Sequence, residues 1–136
     1  MTDSIYAWST TPGDNGNADA SINFAEYQPP SSVNDSNRMM MARLAAFLKD
    51  ISPNITTTGG GNAYVLTSAA TGAGASLRNG ETIAFYAHVG NTGACTLNRD
   101  GKGAVPWRPK SGTEFRANSI QTGVPYVATY QQSTHE

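Results

Sequence analysis

One stretch of helix-forming sequence constrains the fold of this chain more than any other feature. It covers residues 32–51, with Pro29-Pro30 before it and Ser52-Pro53 after it. The residue before a proline is pushed out of the helical region, so the helix ends at Ser52-Pro53. Ser32, followed three residues later by Asp35, resembles a capping box with aspartate in place of the usual glutamate. The sequence therefore predicts one clear helix over residues 32–51.

The apolar residues of this helix recur with the spacing of a coiled coil. Steps of 4, 3, 4, 3 and 4 residues form an a/d seam with an asparagine at one a position. The seam residues are Val33, Asn37, Met40, Leu44, Phe47 and Ile51. Periodicity alone favours packing of this stripe within the chain, as in most amphipathic helices. A buried Asn37 that fixes the register favours other copies of the chain instead, which would make residues 31–53 an oligomerisation helix.

Residues 1–30 predict an extended N-terminal arm, because they are interrupted by proline and glycine and lack helical periodicity. Large side chains are scattered along it without a core of their own: Ile5, Tyr6, Trp8, Ile22, Phe24 and Tyr27. Such an arm either docks on another chain or packs on its own β domain, and we expect docking. Residues 1–37 carry five acids and no lysine or arginine, whereas residues 38–136 carry nine bases and five acids. Either this split is chance, or the acidic arm meets a basic partner surface.

After Ile55 the hydrophobic pattern changes to period two, which is typical of strands. The predicted strands are Ala63–Thr67, Thr82–Val89, Ala94–Asn98, Val105–Arg108 and Val124–Tyr130. The loop Gly90–Gly93 suggests a hairpin between two of them, and Pro106 places another at a sheet edge. The prediction is a mainly β fold in which a glycine-rich hinge over residues 54–61 leads to a small antiparallel sandwich or barrel-like domain over residues 62–136.

Composition excludes several classes of protein. The net charge of −1 provides no bulk attraction to nucleic acid or to an anionic membrane. The sequence contains no apolar run long enough for a signal peptide or a membrane span. The single cysteine, Cys95, excludes an intramolecular disulfide. We expect Cys95 to be a small buried hydrophobic residue, with an intermolecular disulfide as the alternative.

No arrangement of residues points to catalysis. His88, His135 and Cys95 do not have the spacing of a zinc site, and no serine lies in a nucleophile elbow. We therefore expect no enzymatic activity, no cofactor and no metal. A depolymerase-type enzyme is the weakest alternative, because no pair of acids suited to glycoside hydrolysis is evident.

A basic and aromatic cluster follows the predicted turns of the β domain. Its members are Arg99, Lys102, Trp107, Arg108 and Lys110. Three interpretations remain open: a solvated loop face, a seat for a neighbour's acidic arm, or a site for anionic surface polysaccharide in which Trp107 stacks on a sugar.

Several segments resemble the N-terminal region of bacteriophage and prophage tail-fibre proteins, in which an extended arm precedes a helix that begins at a similar segment. The matching segments are Trp8–Thr11, Asn17–Glu26 and Pro30–Met40. Others resemble the small β domain that follows in such proteins: Asn91–Ala94, Thr96–Asn98, Asp100-Gly101 and Lys110–Thr113, with Gly123 and Tyr126. The resemblance covers nearly the whole chain.

This resemblance implies a structural role in a virion that is assembled in the host bacterial cytoplasm. It also implies a homotrimer that is anchored by its N-terminus to other proteins of the tail, neck or baseplate. The sequence stops shortly after the β domain, without the shaft and tip of a receptor-binding fibre. We therefore expect an anchor or decoration, such as a short fibre, spike, collar or baseplate component. The alternative is a carbohydrate-binding module that recognises the bacterial surface.

Overall fold

The computed structural model describes residues 5–70 and 76–136, and the chain divides into two compact units. The described residues of the first unit are 5–48 and 70, and those of the second are 49–69 and 76–136. Helix α1 spans Pro30–Ile51, which confirms the predicted helix and begins it two residues earlier. With this helix and two small sheets, the fold is mixed α/β rather than mainly β.

The first unit folds its N-terminal residues onto α1. Two 3-10 helices, Ile5–Ala7 and Pro12–Asn17, interrupt the segment that the sequence predicted to be extended. Within this unit, Arg43 Nε donates a 2.8 Å hydrogen bond to Asp19 Oδ2, and Asn23 N donates one of 2.8 Å to Ser36 Oγ. The prediction of an extended arm is therefore wrong for the described part of residues 1–30, because polar side chains of α1 hold this segment.

The second unit contains seven strands in its described residues. They are β1 (Ile55–Thr56), β2 (Thr58–Gly60), β3 (Ala63–Leu66), β4 (Thr82–Tyr86), β5 (Cys95–Arg99), β6 (Ala104–Trp107) and β7 (Pro125–Thr129). One sheet has the order β1-β4-β7 and the other the order β2-β3-β5-β6. The small β domain is thus confirmed, as is the edge position of the proline-containing strand β6.

The sheets differ from the prediction in direction and in closure. Strand β1 pairs with β4 in parallel, and β3 pairs with β5 in parallel, so neither sheet is purely antiparallel. The described strands form two open sheets rather than a closed barrel. The predicted hinge over residues 54–61 contains β1 and β2. Gly59 is required there, because its φ is +100° and a Cβ would collide with the carbonyl oxygen of Ala63.

The predicted hairpin between β4 and β5 is wrong, because the two strands belong to different sheets. The loop between them is fixed by Asn91, which is almost completely buried. Its Nδ2 donates 2.8 Å hydrogen bonds to the carbonyl oxygens of Gly93 and Arg116, and its Oδ1 accepts one of 2.8 Å from Ile120 N. A side chain that satisfies three backbone groups, two of them distant in sequence, replaces the tight turn that the sequence suggested.

Side chains from both sheets form one core in the second unit. The buried members of this core are Tyr64, Leu66, Ile83, Phe85, Ala87, Cys95, Trp107 and Ile120. The Trp107 ring lies edge-to-face 5.2 Å from the Phe85 ring and 5.4 Å from the Tyr64 ring, measured between centroids. Such pairs add about 0.5–1.5 kcal/mol each beyond the burial of their area. The aromatic residues of this unit therefore stabilise its centre.

Candidate functional site

Helix α1 presents an exposed apolar stripe. Met41 is 70% exposed, Leu48 60% and Leu44 49%, and Ile51 is exposed as well. The longest runs of exposed apolar surface on globular proteins usually mark contacts with other molecules. This stripe is therefore the first candidate site.

The predicted seam divides between two sides of α1. Phe47 is half-buried and its ring lies edge-to-face with Tyr6, with centroids 6.1 Å apart. Met40 is also half-buried and lines a groove of the first unit. The other predicted positions, Val33, Asn37, Leu44 and Ile51, are exposed. The structure thus assigns two seam positions to contacts within the first unit.

The exposed positions form a seam of their own, shifted around the helix. Residues Asn34, Asn37, Met41, Leu44, Leu48 and Ile51 follow one another at steps of 3, 4, 3, 4 and 3, and all are exposed. We call these six residues the exposed seam. The sequence already contained its signal, because Met41 and Leu48 widen the predicted stripe on this side. The contacts of Met40 and Phe47 with the rest of the first unit were not visible in the sequence.

The predicted arm residues split in the same way. Ile22 is buried, and Ile5, Tyr6 and Trp8 are half-buried, whereas Phe24 and Tyr27 are exposed. A groove of about 460 Å³ in the first unit is lined by Trp8, Ile22, Phe24 and Met40 among others. Most arm anchors therefore pack within their own unit, and only Phe24 and Tyr27 remain as large exposed side chains.

The second candidate site is a cavity of about 320 Å³ in the second unit. Residues of both sheets line it, including Ile83 of β4, Leu97 of β5 and Val127 of β7. We call it the two-sheet cavity. Four of the five residues of the predicted basic and aromatic cluster line it: Arg99, Trp107, Arg108 and Lys110. The fifth residue, Lys102, does not line the cavity. Its Nζ lies 3.8 Å from Oε2 of Glu81, and Glu81 is a lining residue.

A buried network of charges borders this cavity. Arg99 Nη1 donates to Glu81 Oε2 at 3.3 Å, and Arg99 Nη2 donates to Asp50 Oδ2 at 3.2 Å. Arg99 Nε lies 3.4 Å from Asp100 Oδ2. The side chains of Arg99 and Lys102 are only 5% and 7% exposed, so a solvated loop face is the wrong interpretation for these two residues. Buried charges persist only when they are paired, and this network satisfies that condition.

The rim of the cavity carries a second set of ion pairs. Arg108 Nε donates to Glu114 Oε1 at 2.7 Å, and Arg108 Nη1 donates to Glu136 Oε2. Hydrogen bonds from Ser111 and from Arg108 lower the pKa of Glu136 to about 2. The same carboxylates, Glu136 first and then Glu114, raise the pKa of Arg108. Arg108 is therefore committed to contacts within the chain, whereas Lys110 is exposed at the rim.

Trp107 has little surface available for stacking on a ligand, because 93% of it is covered by its neighbours. Its ring contacts Phe115 and Tyr126 edge-to-face as well as the two core rings, at centroid distances of 5.1 and 5.6 Å. Trp107 therefore contributes to the wall of the cavity rather than an open stacking platform.

The two residues with the most reactive side chains, His88 and Cys95, make contacts that stabilise the fold. His88 follows β4, with its Nδ1 2.8 Å from Thr57 Oγ1 and its Nε2 3.1 Å from the Gly59 carbonyl oxygen. Cys95 is buried, and this burial raises the pKa of its thiol. Among residues 5–70 and 76–136, no group of three or more histidine, cysteine or acidic side chains is placed to hold a metal ion.

Comparisons with protein-family models, with curated proteins and with solved structures find no match to this chain. In the described part of the chain, no helix has both the length and the apolar character needed to cross a membrane. The exposed seam and the two-sheet cavity are therefore the two features of the described residues that bear on function.

Proposed function

We propose that this chain is a non-enzymatic structural component of a tailed-phage virion that assembles as a homotrimer through the exposed seam of α1. The observation that supports this proposal is the run of six exposed residues at alternating steps of three and four over Asn34–Ile51. That spacing keeps one stripe of a helix facing its neighbours over several turns, and four of its residues, Met41, Leu44, Leu48 and Ile51, are large apolar side chains that water solvates poorly.

Other copies of this chain are the occupants that fit the seam best. A heptad stripe pairs with helices of the same period, and identical copies supply one automatically. Burial of Met41, Leu44, Leu48 and Ile51 provides an upper value of about 6–12 kcal/mol per chain, at about 1.5–3 kcal/mol for each side chain. Asn34 and Asn37 make the N-terminal part of the seam polar, and buried asparagines of this kind fix the register of a bundle.

The first unit supplies the proposed anchor. It has two exposed aromatic residues: Phe24 lies in the segment Asn17–Glu26, which resembles the arm of tail-fibre proteins, and Tyr27 directly follows that segment. Exposed aromatic side chains are enriched where proteins meet, so these two residues are the proposed contacts with other virion proteins of the tail, neck or baseplate. In this proposal the chain assembles in the host cytoplasm and functions as a short fibre, spike, collar or baseplate decoration.

The size of the assembly in solution tests the seam. We expect sedimentation and light scattering of the full chain to give three times the monomer mass. Leu48→Asp should dissociate the trimer to monomers without unfolding it, because Leu48 is 60% exposed in the single chain. Ala42→Asp is the matched control, since Ala42 is exposed on the same helix but lies outside the seam. A wild-type monomer at high micromolar concentration would rule out the trimer.

Incorporation into particles tests the virion role. Particles purified from a phage whose genome carries this coding sequence should contain the wild-type chain, and Tyr27→Ala combined with Phe24→Ala should reduce its amount. Retention of the double variant at the wild-type level would contradict the proposed anchor. Absence of the wild-type chain from the particles would contradict the virion role itself.

One observation favours a second function, that of a carbohydrate-binding module for the bacterial surface. Four residues of the predicted basic and aromatic cluster line a single cavity, together with apolar residues of both sheets. Its volume of about 320 Å³ lies at the lower end of the range of about 300–1,000 Å³ for small-molecule sites. A cavity of that size is suited to one or two sugar rings rather than a long polymer.

A further inference from the structure

Two of the residues that line the two-sheet cavity, Glu81 and Glu136, each have one buried carboxylate oxygen, Oε1, without a hydrogen-bond partner among the described residues. Glu81 is 4% exposed and is one of the lining residues. Its Oε2 accepts from Arg99 Nη1, whereas its Oε1 is buried and has no hydrogen-bond partner among the described residues. A buried carboxylate oxygen without a donor is costly, so it marks a place where a ligand gains more than it would from water.

The charges around Glu81 indicate what kind of donor fits. The charged residues that line the cavity are three bases, Arg99, Arg108 and Lys110, and two acids, Glu81 and Glu136. Arg99 and Arg108 are already paired with carboxylates of the chain, which disfavours an anionic group. A cationic ligand is disfavoured too, because Arg99 Nη1 and Lys102 Nζ already lie within 3.3 and 3.8 Å of the Glu81 carboxylate. A neutral hydroxyl group satisfies Oε1 without adding charge.

We propose that the two-sheet cavity binds a neutral saccharide unit, with one sugar hydroxyl donating a hydrogen bond to Glu81 Oε1. The remaining lining suits the apolar face of a sugar ring, because it includes Leu77, Ile83, Leu97, Val105, Trp107 and Val127. This inference rests on the second candidate function and makes it more specific. It replaces the anionic polysaccharide of the sequence-based hypothesis with a neutral ligand, and stacking on Trp107 with a hydrogen bond to Glu81.

The two tryptophans of the chain, Trp107 and Trp8, are the reporters of a binding experiment. The full-length protein is titrated with glucose, galactose and N-acetylglucosamine while the indole N–H resonances are followed by NMR. Trp107 lines the cavity and Trp8 belongs to the first unit. We expect at least one sugar to shift the Trp107 resonance with saturation and to leave that of Trp8 unchanged. The per-O-methylated form of that sugar should bind at least about tenfold more weakly, because it has no hydroxyl to donate to the carboxylate.

Two matched substitutions assign the site. Val127 is exposed and lines the cavity, so Val127→Phe should obstruct it and reduce sugar binding. Val124 is also exposed but is not a lining residue, so Val124→Phe should bind like the wild type. Both changes place an aromatic residue in or next to an exposed edge strand, which tolerates it.

The outcomes separate this proposal from the trimer. No saturable shift of the Trp107 resonance with any of the three sugars would overturn the proposal, and so would equal binding of the methylated form. Equal loss of binding in Val127→Phe and Val124→Phe would overturn it as well. None of these results concerns the exposed seam, whose test is the mass of the assembly.

Discussion

The two compact units of this chain are stabilised by different means. The second unit has a continuous core of eight buried residues in which aromatic rings contact one another. In the first unit, among the positions whose burial is described, the buried residues are two apolar ones, Ile22 and Ala70, and two polar ones, Asp19 and Ser36. The second unit therefore depends on apolar burial, and the first on hydrogen bonds between polar side chains and its N-terminal segment.

This difference explains why the apolar surface is unevenly distributed. The second unit places most of its large apolar residues inside, whereas α1 leaves Met41, Leu44 and Leu48 exposed in the first unit. A unit with a small core of its own gains stability when such a stripe is buried by a partner. The sparse core of the first unit is therefore a physical reason to expect the proposed trimer, because the trimer would bury this stripe.

The largest expected effect comes from opening the core of the second unit. Phe85 is completely buried, so Phe85→Ala should lower the free energy of unfolding by about 3–5 kcal/mol. Phe47→Ala in the first unit should cost less, because Phe47 is only half-buried. Urea unfolding followed by NMR, with Trp107 and Trp8 as reporters of the two units, measures both. Equal losses would contradict the difference between the units.

A smaller effect is expected from the polar contacts of the first unit. Burial opposes ionisation of Asp19, but the hydrogen bonds from Arg43 and from the Ser21 backbone outweigh it and lower the pKa of this carboxyl. Arg43→Ala removes the side-chain donor and should cost about 1–3 kcal/mol. Arg38→Ala is the control, because the Arg38–Asp35 pair is exposed and such pairs contribute about 0–1 kcal/mol. Similar losses in both variants would show that Asp19 does not hold the N-terminal segment.

Features set by neighbouring residues could be predicted from the sequence. The prolines around α1 determined its ends. The period-two pattern indicated strands over Ala63–Thr67 and Val124–Tyr130, where β3 and β7 lie, and Pro106 indicated an edge. Each of these signals acts on the backbone within a few residues. Their agreement with the structure follows from that local origin.

Features set by distant residues could not be predicted. Nothing near Asn91 indicates that its side chain bonds to Arg116 and Ile120, so the following strand was assigned to a hairpin. The parallel pairing of β3 with β5 could not be predicted for the same reason, because it depends on which strands meet across the fold.

The candidate sites show the same limit. The heptad spacing of α1 was visible in the sequence, but the side of the helix that remains exposed depends on the contacts of Met40 and Phe47. The basic and aromatic cluster was found by composition around turns. The burial of this cluster could not be predicted from the sequence. Asp50 and Glu81, which pair with Arg99, lie 49 and 18 residues away from it in sequence.

The smallest expected effect is a dependence of stability on pH at the rim of the two-sheet cavity. Hydrogen bonds from Ser111 and Arg108 lower the pKa of Glu136 from its ordinary value of 4.5 to about 2. A carboxyl whose pKa is lower in the folded state stabilises the fold fully above the ordinary value, and this contribution is lost as the pH falls towards the lower one. The melting temperature of the wild type should therefore decrease between pH 4.5 and 2 by more than that of Glu136→Gln. Thermal melts of the two proteins across this window measure the difference. The two curves should converge towards pH 2, where the wild-type carboxyl also becomes protonated, and a constant offset at every pH would assign the effect of the substitution to packing rather than to charge.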